Sequence, residues 1–258
     1  MDKFLMNYSA CFGKEPQPDR CRDVVLMLFS SLFVCAKVGQ RKPNNRKGTD
    51  IVMKADNRLH FGVPILEVQL DDVKARQTEI RSALLQLRET EQGIQRSNQR
   101  GWHSQDDLFN RKEAVYGWLS QMIFEVGGKL IRHAEKLPDD AEILLSSLWV
   151  NINDAGSWNA PHAHLPCEWS GALYIDVNEN PPESQSGIHD GDILFFDPIP
   201  VGAPYRPATT VAYTPKIGTM FIFPSYLLHM VAPHFEEDPR ISLAFNFRIG
   251  ENLKRFAR

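Results

Sequence analysis

The sequence is poor in cysteine, has no excess of basic charge and contains no long apolar run. Its 4 cysteines, Cys11, Cys21, Cys35 and Cys167, form no CxxC pair in 258 residues. Such irregular spacing argues against a disulfide scaffold or a structural zinc cluster and favours a reducing compartment such as the cytoplasm. Lys and Arg number 29 against 32 Asp and Glu, a net charge of -3. No nucleic-acid partner is therefore indicated.

The most apolar stretch, VVLMLFSSLFVCA at residues 24–36, is too short to cross a bilayer as a helix. We predict a buried or interfacial helix here. A cleaved signal peptide or an organelle-targeting segment is the alternative, although acidic residues precede the run. A basic linker rich in Gly, Pro and Asn follows at 37–50. The predicted organisation is an N-terminal extension at 1–52 and one domain at 53–258, without an integral membrane span.

The rest of the chain shows two helical patterns followed by a series of strands. Residues 73–90 have the apolar period of a helix, and Asn110 with Glu113 resembles the cap of a second helix. A first strand is predicted at 63–70. Later strands are predicted at about 145–152, 171–177, 191–196, 219–223 and 241–248. Helices placed before a run of strands predict an α+β fold in which the helices support a sheet.

Three histidines in this strand-rich region are candidate metal ligands. His162 and His164 are two residues apart, so both can point to one side of an extended strand. A β-barrel can bring His229 to the same point from a distant strand. A lone histidine in an apolar strand is more often a hydrogen-bonded core residue. The pair, the distant histidine and a suitable arginine together favour an iron site, in which few protein ligands leave room for O2 and a cosubstrate.

Arg240 and Ser242 follow His229 in the segment HMVAPHFEEDPRIS. A guanidinium is planar, permanently charged and able to bind a carboxylate through two hydrogen bonds. It suits the far carboxylate of 2-oxoglutarate, and Ser242 on the same strand face adds a hydroxyl donor. The alternative is a salt bridge from Arg240 to a neighbouring acidic residue, namely Glu236, Glu237 or Asp238.

From about Leu59 to Arg248 the chain resembles the 2-oxoglutarate/Fe(II)-dependent oxygenases, within them a group found in bacterial and phage proteins. The matching segments are FGVPILEVQL at 61–70, NQRGWHSQDDL at 98–108, WVNINDAGSWNAPHAHLPCEWSGALYIDV at 149–177, GDILFFDP at 191–198 and GTMFIFPSYLLHMVAPHFEEDPRISLAFNFR at 218–248. The resemblance implies a double-stranded β-helix, or jelly-roll, with supporting helices. It also implies Fe(II) held by His229 and 2-oxoglutarate held by Arg240 and Ser242.

One motif departs from the superfamily pattern, because His162-Ala163-His164 stands where His-x-Asp or His-x-Glu is usual. All three histidines bind iron in one interpretation. In another, one of the pair binds and a carboxylate completes the set, with Glu168, Asp192 and Asp197 as candidates. In a third, the site keeps an open position like that of the halogenases.

The predicted activity is an oxidation, most simply a hydroxylation, of a small-molecule or peptidyl substrate with Fe(II), 2-oxoglutarate and O2. Asn153, Tyr174 and Asn246 are further candidates for the cosubstrate side of the site. Trp158, Asn159 and Trp169 are candidates for a substrate pocket, and loops at 178–190 and 199–217 for substrate selection. Two other classes compete with this prediction. They are a three-histidine dioxygenase of the cupin type, which needs no oxo acid, and a non-catalytic jelly-roll binding module.

Overall fold

The computed structural model describes residues 62–181, 187–199 and 209–250. The predicted extension at 1–52 with its apolar segment, the boundary at residue 53 and parts of the two predicted selection loops lie outside these residues. In the described part of the chain, no helix is long and apolar enough to cross a membrane.

Eleven strands and three α-helices make up the described chain, with one 3-10 turn at Leu108–Asn110. The helices are α1 Asp71–Ala75, α2 Gln77–Thr90 and α3 Ala114–Glu135. The strands are β1 Leu66–Gln69, β2 Asn98–Gln99, β3 Trp102–His103, β4 Ile143–Asn153, β5 Ser157–His162, β6 Trp169–Asp176, β7 Ile193–Phe196, β8 Thr210–Tyr213, β9 Thr219–Pro224, β10 His229–His234 and β11 Arg240–Ile249.

The strands form two antiparallel sheets. One has six strands in the order β1-β9-β6-β11-β4-β3, and the other has five in the order β2-β5-β10-β7-β8. The predicted combination of helices with a run of strands is confirmed, and the strands pair in two sheets where one was expected. Each of the later strands predicted from sequence is present within a few residues of its predicted limits. Strands were expected at His162 and at His229, but the limits of β5 and β10 were not predicted, because a proline and polar side chains interrupt their apolar pattern. The short strands β2, β3 and β8 were not predicted.

The two long helices pack against the six-stranded sheet. Their apolar stripes join β9 and β11 in one core: Ile80, Leu84, Leu119, Ile123, Ile222, Phe245 and Phe247 are each fully buried. Gly127 of α3 lies against the Phe247 ring, where a Cβ atom would stand only 2.7 Å from the ring carbons. The helices therefore stiffen the sheet from its outer face and leave the opposite face free to line a site.

Two details of the helix prediction were wrong. The helix expected over 73–90 is two helices separated at Arg76. The backbone N–H of Arg76 donates to the carbonyls of Asp72 and Val73 and so closes the last turn of α1. Asn110 does not cap α3, since it ends the 3-10 turn and α3 begins after Glu113 without a side-chain cap.

Candidate metal centre and cosubstrate cavity

The three candidate histidines converge between the two sheets. His162 is the last residue of β5 and His229 is the first residue of β10. The two residues lie opposite each other on these neighbouring strands of the five-stranded sheet. His164 lies beyond the end of β5, in a loop held by the His164 N–H donating to the Ser225 carbonyl at 2.9 Å. The candidate ligand nitrogens all lie within 4.8 Å of one another.

Backbone carbonyls set the tautomer of two of these imidazoles. The Nδ1–H of His162 donates to the Ala160 carbonyl at 2.7 Å, and the Nδ1–H of His229 donates to the Leu227 carbonyl at 2.9 Å. In both rings Nε2 is therefore the unprotonated nitrogen. The Nε2 atoms of His164 and His229 are 3.3 Å apart.

The environment keeps the imidazoles neutral. Burial lowers the pKa of His164 and of His229 to about 3, and burial also lowers the pKa of His162. A neutral imidazole is the form that binds a metal ion. Imidazole nitrogens are suitable ligands for first-row divalent metals, and three of them lie within reach of one ion here, so the donor set fits Fe(II) and other metals of that row.

Each carboxylate considered as an alternative ligand accepts a backbone hydrogen bond, and Asp192 also has a buried Oδ1 without a partner. Glu168 accepts from the Ile249 N–H at 3.1 Å, Asp192 from the His189 N–H at 2.8 Å and Asp197 from the Ile199 N–H at 2.9 Å. Among the described residues, the cluster suited to a metal contains histidines alone. The arrangement favours a three-histidine set over the usual two histidines and one carboxylate.

Arg240 begins β11 and its side chain is buried, with only 3% of the residue exposed. Its Nε–H donates to the Gly191 carbonyl at 3.1 Å, while its Nη2 has no hydrogen-bond partner. Within the described ranges, no ion pair joins Arg240 to Glu236, Glu237 or Asp238, so the salt-bridge alternative is not supported.

One cavity, which we call the inner cavity, joins the arginine to the histidines. It is lined by His162, His164, His229, Arg240, Ser242, Tyr174, Asn151, Asn159, Ile193, Phe223 and Val231, among others. The Arg240 guanidinium carbon lies 4.9 Å from the centre of the Tyr174 ring. The Tyr174 hydroxyl and the Asn151 Oδ1 are, like Arg240 Nη2, buried without a hydrogen-bond partner. Buried polar groups are rarely left unpaired, so these atoms indicate a polar ligand.

The remaining predicted residues divide between the site and its surroundings. Asn159 lines the inner cavity, and its Oδ1 accepts from Asn153 Nδ2 at 3.2 Å. Asn153 therefore lies behind the cavity wall rather than in it. Asn246 faces a second cavity on the other side of the histidines, where its Nδ2 donates to Ser147 Oγ at 2.8 Å.

The two tryptophans predicted to line a substrate pocket do not do so. Trp169 belongs to the helix-side core, and its Nε1–H donates to Glu135 Oε1 at 3.0 Å. Strand alternation explains this, because Trp169 and Leu173 point towards the helices while Tyr174 points towards the cavity. Trp158 is paired with Gln99 of β2 and lines neither cavity.

Sequence reasoning missed Trp149, which lines both cavities. Its ring lies 5.5 Å from the His103 ring on one side and 5.5 Å from the His164 ring on the other. Trp149, Asn151 and Asn153 alternate along β4 and therefore point to the same side of the strand. This spacing is visible in the sequence, but it does not say which side of the strand faces the histidines.

Comparison with known proteins agrees with this geometry. Residues 147–246 match the family described as "Putative 2OG-Fe(II) oxygenase". No curated protein matches the chain. Two solved structures resemble it in fold. A prolyl hydroxylase from Trichoplax adhaerens, in complex with a hypoxia inducible factor peptide fragment, has 14% identity and a TM-score of 0.52, over 75% of this chain and 87% of that one. SnoK, an alpha-ketoglutarate-dependent carbocyclase from nogalamycin biosynthesis, has 13% identity and a TM-score of 0.51, over 75% and 85%.

The matched segment holds both the histidine cluster and Arg240, so residues 147–246 form a 2OG-Fe(II) oxygenase domain. The protein is a 2-oxoglutarate-dependent non-haem iron oxygenase, and its cofactors are Fe(II) and 2-oxoglutarate, as the sequence predicted. At these identities the solved structures support the fold alone.

Proposed function

We propose that this oxygenase hydroxylates a small-molecule or peptidyl substrate, with iron on His162, His164 and His229 and 2-oxoglutarate on Arg240, Ser242 and Tyr174. The observation that carries the proposal is the inner cavity, which joins three neutral imidazoles to one buried guanidinium whose Nη2 has no hydrogen-bond partner. We also propose that the two antiparallel sheets form the double-stranded β-helix of this enzyme class, in agreement with the two structural neighbours.

Arg240 supplies the cation for the far carboxylate of the oxo acid. A buried guanidinium nitrogen without a hydrogen-bond partner is costly, and a carboxylate that binds Nη2 of Arg240 removes that cost. Tyr174 and Ser242 lie opposite each other on β6 and β11. Their hydroxyls can donate to the same carboxylate, which gives the unpaired Tyr174 hydroxyl a partner.

When bound, Fe(II) and 2-oxoglutarate supply the chemistry in which O2 converts a substrate C–H bond to C–OH while the oxo acid becomes succinate and CO2. The chain contributes three fixed, neutral imidazoles, so the site keeps one more positive charge than a site with a carboxylate ligand. That charge strengthens the attraction for the dianionic oxo acid. Ile193, Phe223 and Val231 line the same cavity with apolar surface and limit the entry of water.

An anaerobic titration tests the proposal. Fe(II) is added to the metal-free protein with and without 2-oxoglutarate, and the visible charge-transfer band is recorded. A band that needs both components is the expected result. Metal binding that is indifferent to the oxo acid would instead favour the cupin-type dioxygenase, and no metal binding would favour the binding module.

A matched pair of variants shows whether the histidine cluster is the site. His229→Ala should abolish stoichiometric Fe(II) binding. His133→Ala, which alters an exposed histidine of α3 far from the cluster in sequence, should bind iron like the wild type. Equal iron binding by both folded variants would remove His229 from the site.

A further inference from the structure

A second cavity lies against the histidine cluster on the side away from Arg240. This outer cavity has a volume of about 320 Å³, and it shares Ser97, Trp149, His162 and His164 with the inner cavity. Because these residues form the common wall, a molecule in the outer cavity would lie next to the proposed iron without displacing 2-oxoglutarate. The volume is at the small end of the range for ligand pockets, about 300–1,000 Å³.

His103 offers a hydrogen-bond acceptor in the outer cavity. Only 5% of the residue is exposed, and its Nδ1–H donates to the Ser104 carbonyl at 2.6 Å. This bond makes Nε2 the unprotonated nitrogen, and within the described chain that atom has no hydrogen-bond partner. His103 lines the outer cavity, so this nitrogen can accept a hydrogen bond from a donor group of a molecule bound there.

Two charges of opposite sign complete the outer cavity. Arg96 and Asp106 line it, both are exposed, and neither forms an ion pair with any residue in the described ranges. Burial lowers the pKa of His103, and of these two charges Arg96 lowers that pKa further while Asp106 raises it. Both charged side chains line the same cavity as His103. Of the other polar side chains there, Asn246 Nδ2 donates to Ser147 Oγ, and Ser97 Oγ accepts from Asn159 Nδ2.

We propose that the outer cavity binds the substrate and that the substrate is a free amino acid or a similar small zwitterion. Its carboxylate would pair with Arg96, its ammonium with Asp106, and one of its donor groups would bind His103 Nε2. The geometry thus selects a molecule that carries both charges, and it disfavours an apolar hydrocarbon or an internal residue of a peptide, which carries neither backbone charge. This inference rests on the proposed function, since it takes the histidine cluster as the iron site.

The test uses the anaerobic Fe(II) and 2-oxoglutarate complex of the full chain, to which each of the standard amino acids is added in turn. Binding is followed by calorimetry and by the shift of the visible band. At least one amino acid should bind and shift the band, while its amidated and N-acetylated forms, each lacking one charge, should bind at least about tenfold more weakly. A peptide that contains the same residue internally should bind no better than these two forms.

Variants identify the residues responsible. Arg96→Gln should weaken binding of the free amino acid by about tenfold and leave binding of its amide unchanged. The control is Arg100→Gln, since Arg100 is exposed and does not line the cavity, and this variant should change neither affinity. His103→Phe keeps a ring beside Trp149 but removes the acceptor, so it should weaken binding. His103→Gln, which restores an acceptor, should recover part of the affinity.

Three results would overturn the proposal: no amino acid binds, the internal peptide binds better than the free amino acid, or Arg96→Gln behaves like Arg100→Gln. Each is separable from failure of the proposed function. If the function is wrong, the band with Fe(II) and 2-oxoglutarate is already missing in the wild type. If only the substrate class is wrong, that band forms normally in the wild type and in every outer-cavity variant.

Discussion

His164 and His229 face each other with their Nε2 atoms 3.3 Å apart, although 65 positions separate them in the chain. His229 is fixed by its bond to the Leu227 carbonyl and by the start of β10. His164 is held by a loop, through its own N–H and through the Trp149 ring beside it. In the proposed site, this loop residue takes the position in which the superfamily usually has a carboxylate.

Substitution of His164 tests whether it is an iron ligand. His164→Ala should bind Fe(II) clearly more weakly than the wild type, whereas His164→Asp restores the usual ligand type and should keep iron. Glu168→Ala and Asp197→Ala should keep full metal content, because neither carboxylate belongs to the cluster. Metal content by mass spectrometry after desalting measures all four. Full iron affinity in His164→Ala would contradict the three-histidine set.

Substitution of Arg240 separates cosubstrate binding from metal binding. Arg240→Ala should leave Fe(II) binding nearly unchanged and weaken 2-oxoglutarate by roughly 10- to 100-fold, since a hydrogen bond to a charged group is worth about 1.5–3 kcal/mol. Arg240→Lys should recover only part of the 2-oxoglutarate affinity, because an ammonium group cannot form the two parallel hydrogen bonds that a guanidinium makes to a carboxylate. Arg248→Ala, an exposed arginine on the same strand, is the control. The role fails if calorimetry gives Arg240→Ala the same 2-oxoglutarate affinity as Arg248→Ala.

Gly191 holds Arg240 in place through its carbonyl, and its backbone has a positive φ of 74°. A Cβ at this position would lie 3.1 Å from Arg240 Cδ. Gly191→Ala should therefore weaken 2-oxoglutarate binding and leave Fe(II) binding intact. Gly187 has the same φ of 74° but nothing within 4 Å of an added Cβ. Gly187→Ala thus carries the same backbone strain, of about 1 kcal/mol, without the contact. Equal 2-oxoglutarate affinities in the two variants would show that the close approach to Arg240 is unimportant.

Trp169 should matter for stability and not for catalysis. Its indole N–H joins β6 to Glu135 in the last turn of α3, and the residue is 2% exposed. Trp169→Phe removes this bond and part of the packing, so the free energy of unfolding should fall by roughly 1–3 kcal/mol. Urea denaturation measures that loss. If the variant instead changed substrate or cosubstrate affinity and kept its stability, Trp169 would be part of the binding site.

Several features of the site could be predicted from residue types and spacing. The ability of histidine to bind first-row metals and of arginine to bind a carboxylate is a property of the side chain. His162, His164, His229 and Arg240 could therefore be recognised as a set from their types and spacing. Other assignments failed for a geometric reason. Trp169 and Tyr174 both lie on β6, and their different sides depend on which face of the sheet the helices cover.

The sequence by itself determined the kind of chemistry, because ligand type, charge and apolar period are properties of the residues and their order. Tertiary structure alone decided which of these residues meet. His164 reaches the cluster from a loop, Gly191 comes to Arg240 from a distant turn, and Trp149 and His103 border the histidines through pairing of β3 with β4. Contacts of this kind depend on sheet register and loop path, which arise from packing of the whole chain and leave no local pattern in the sequence.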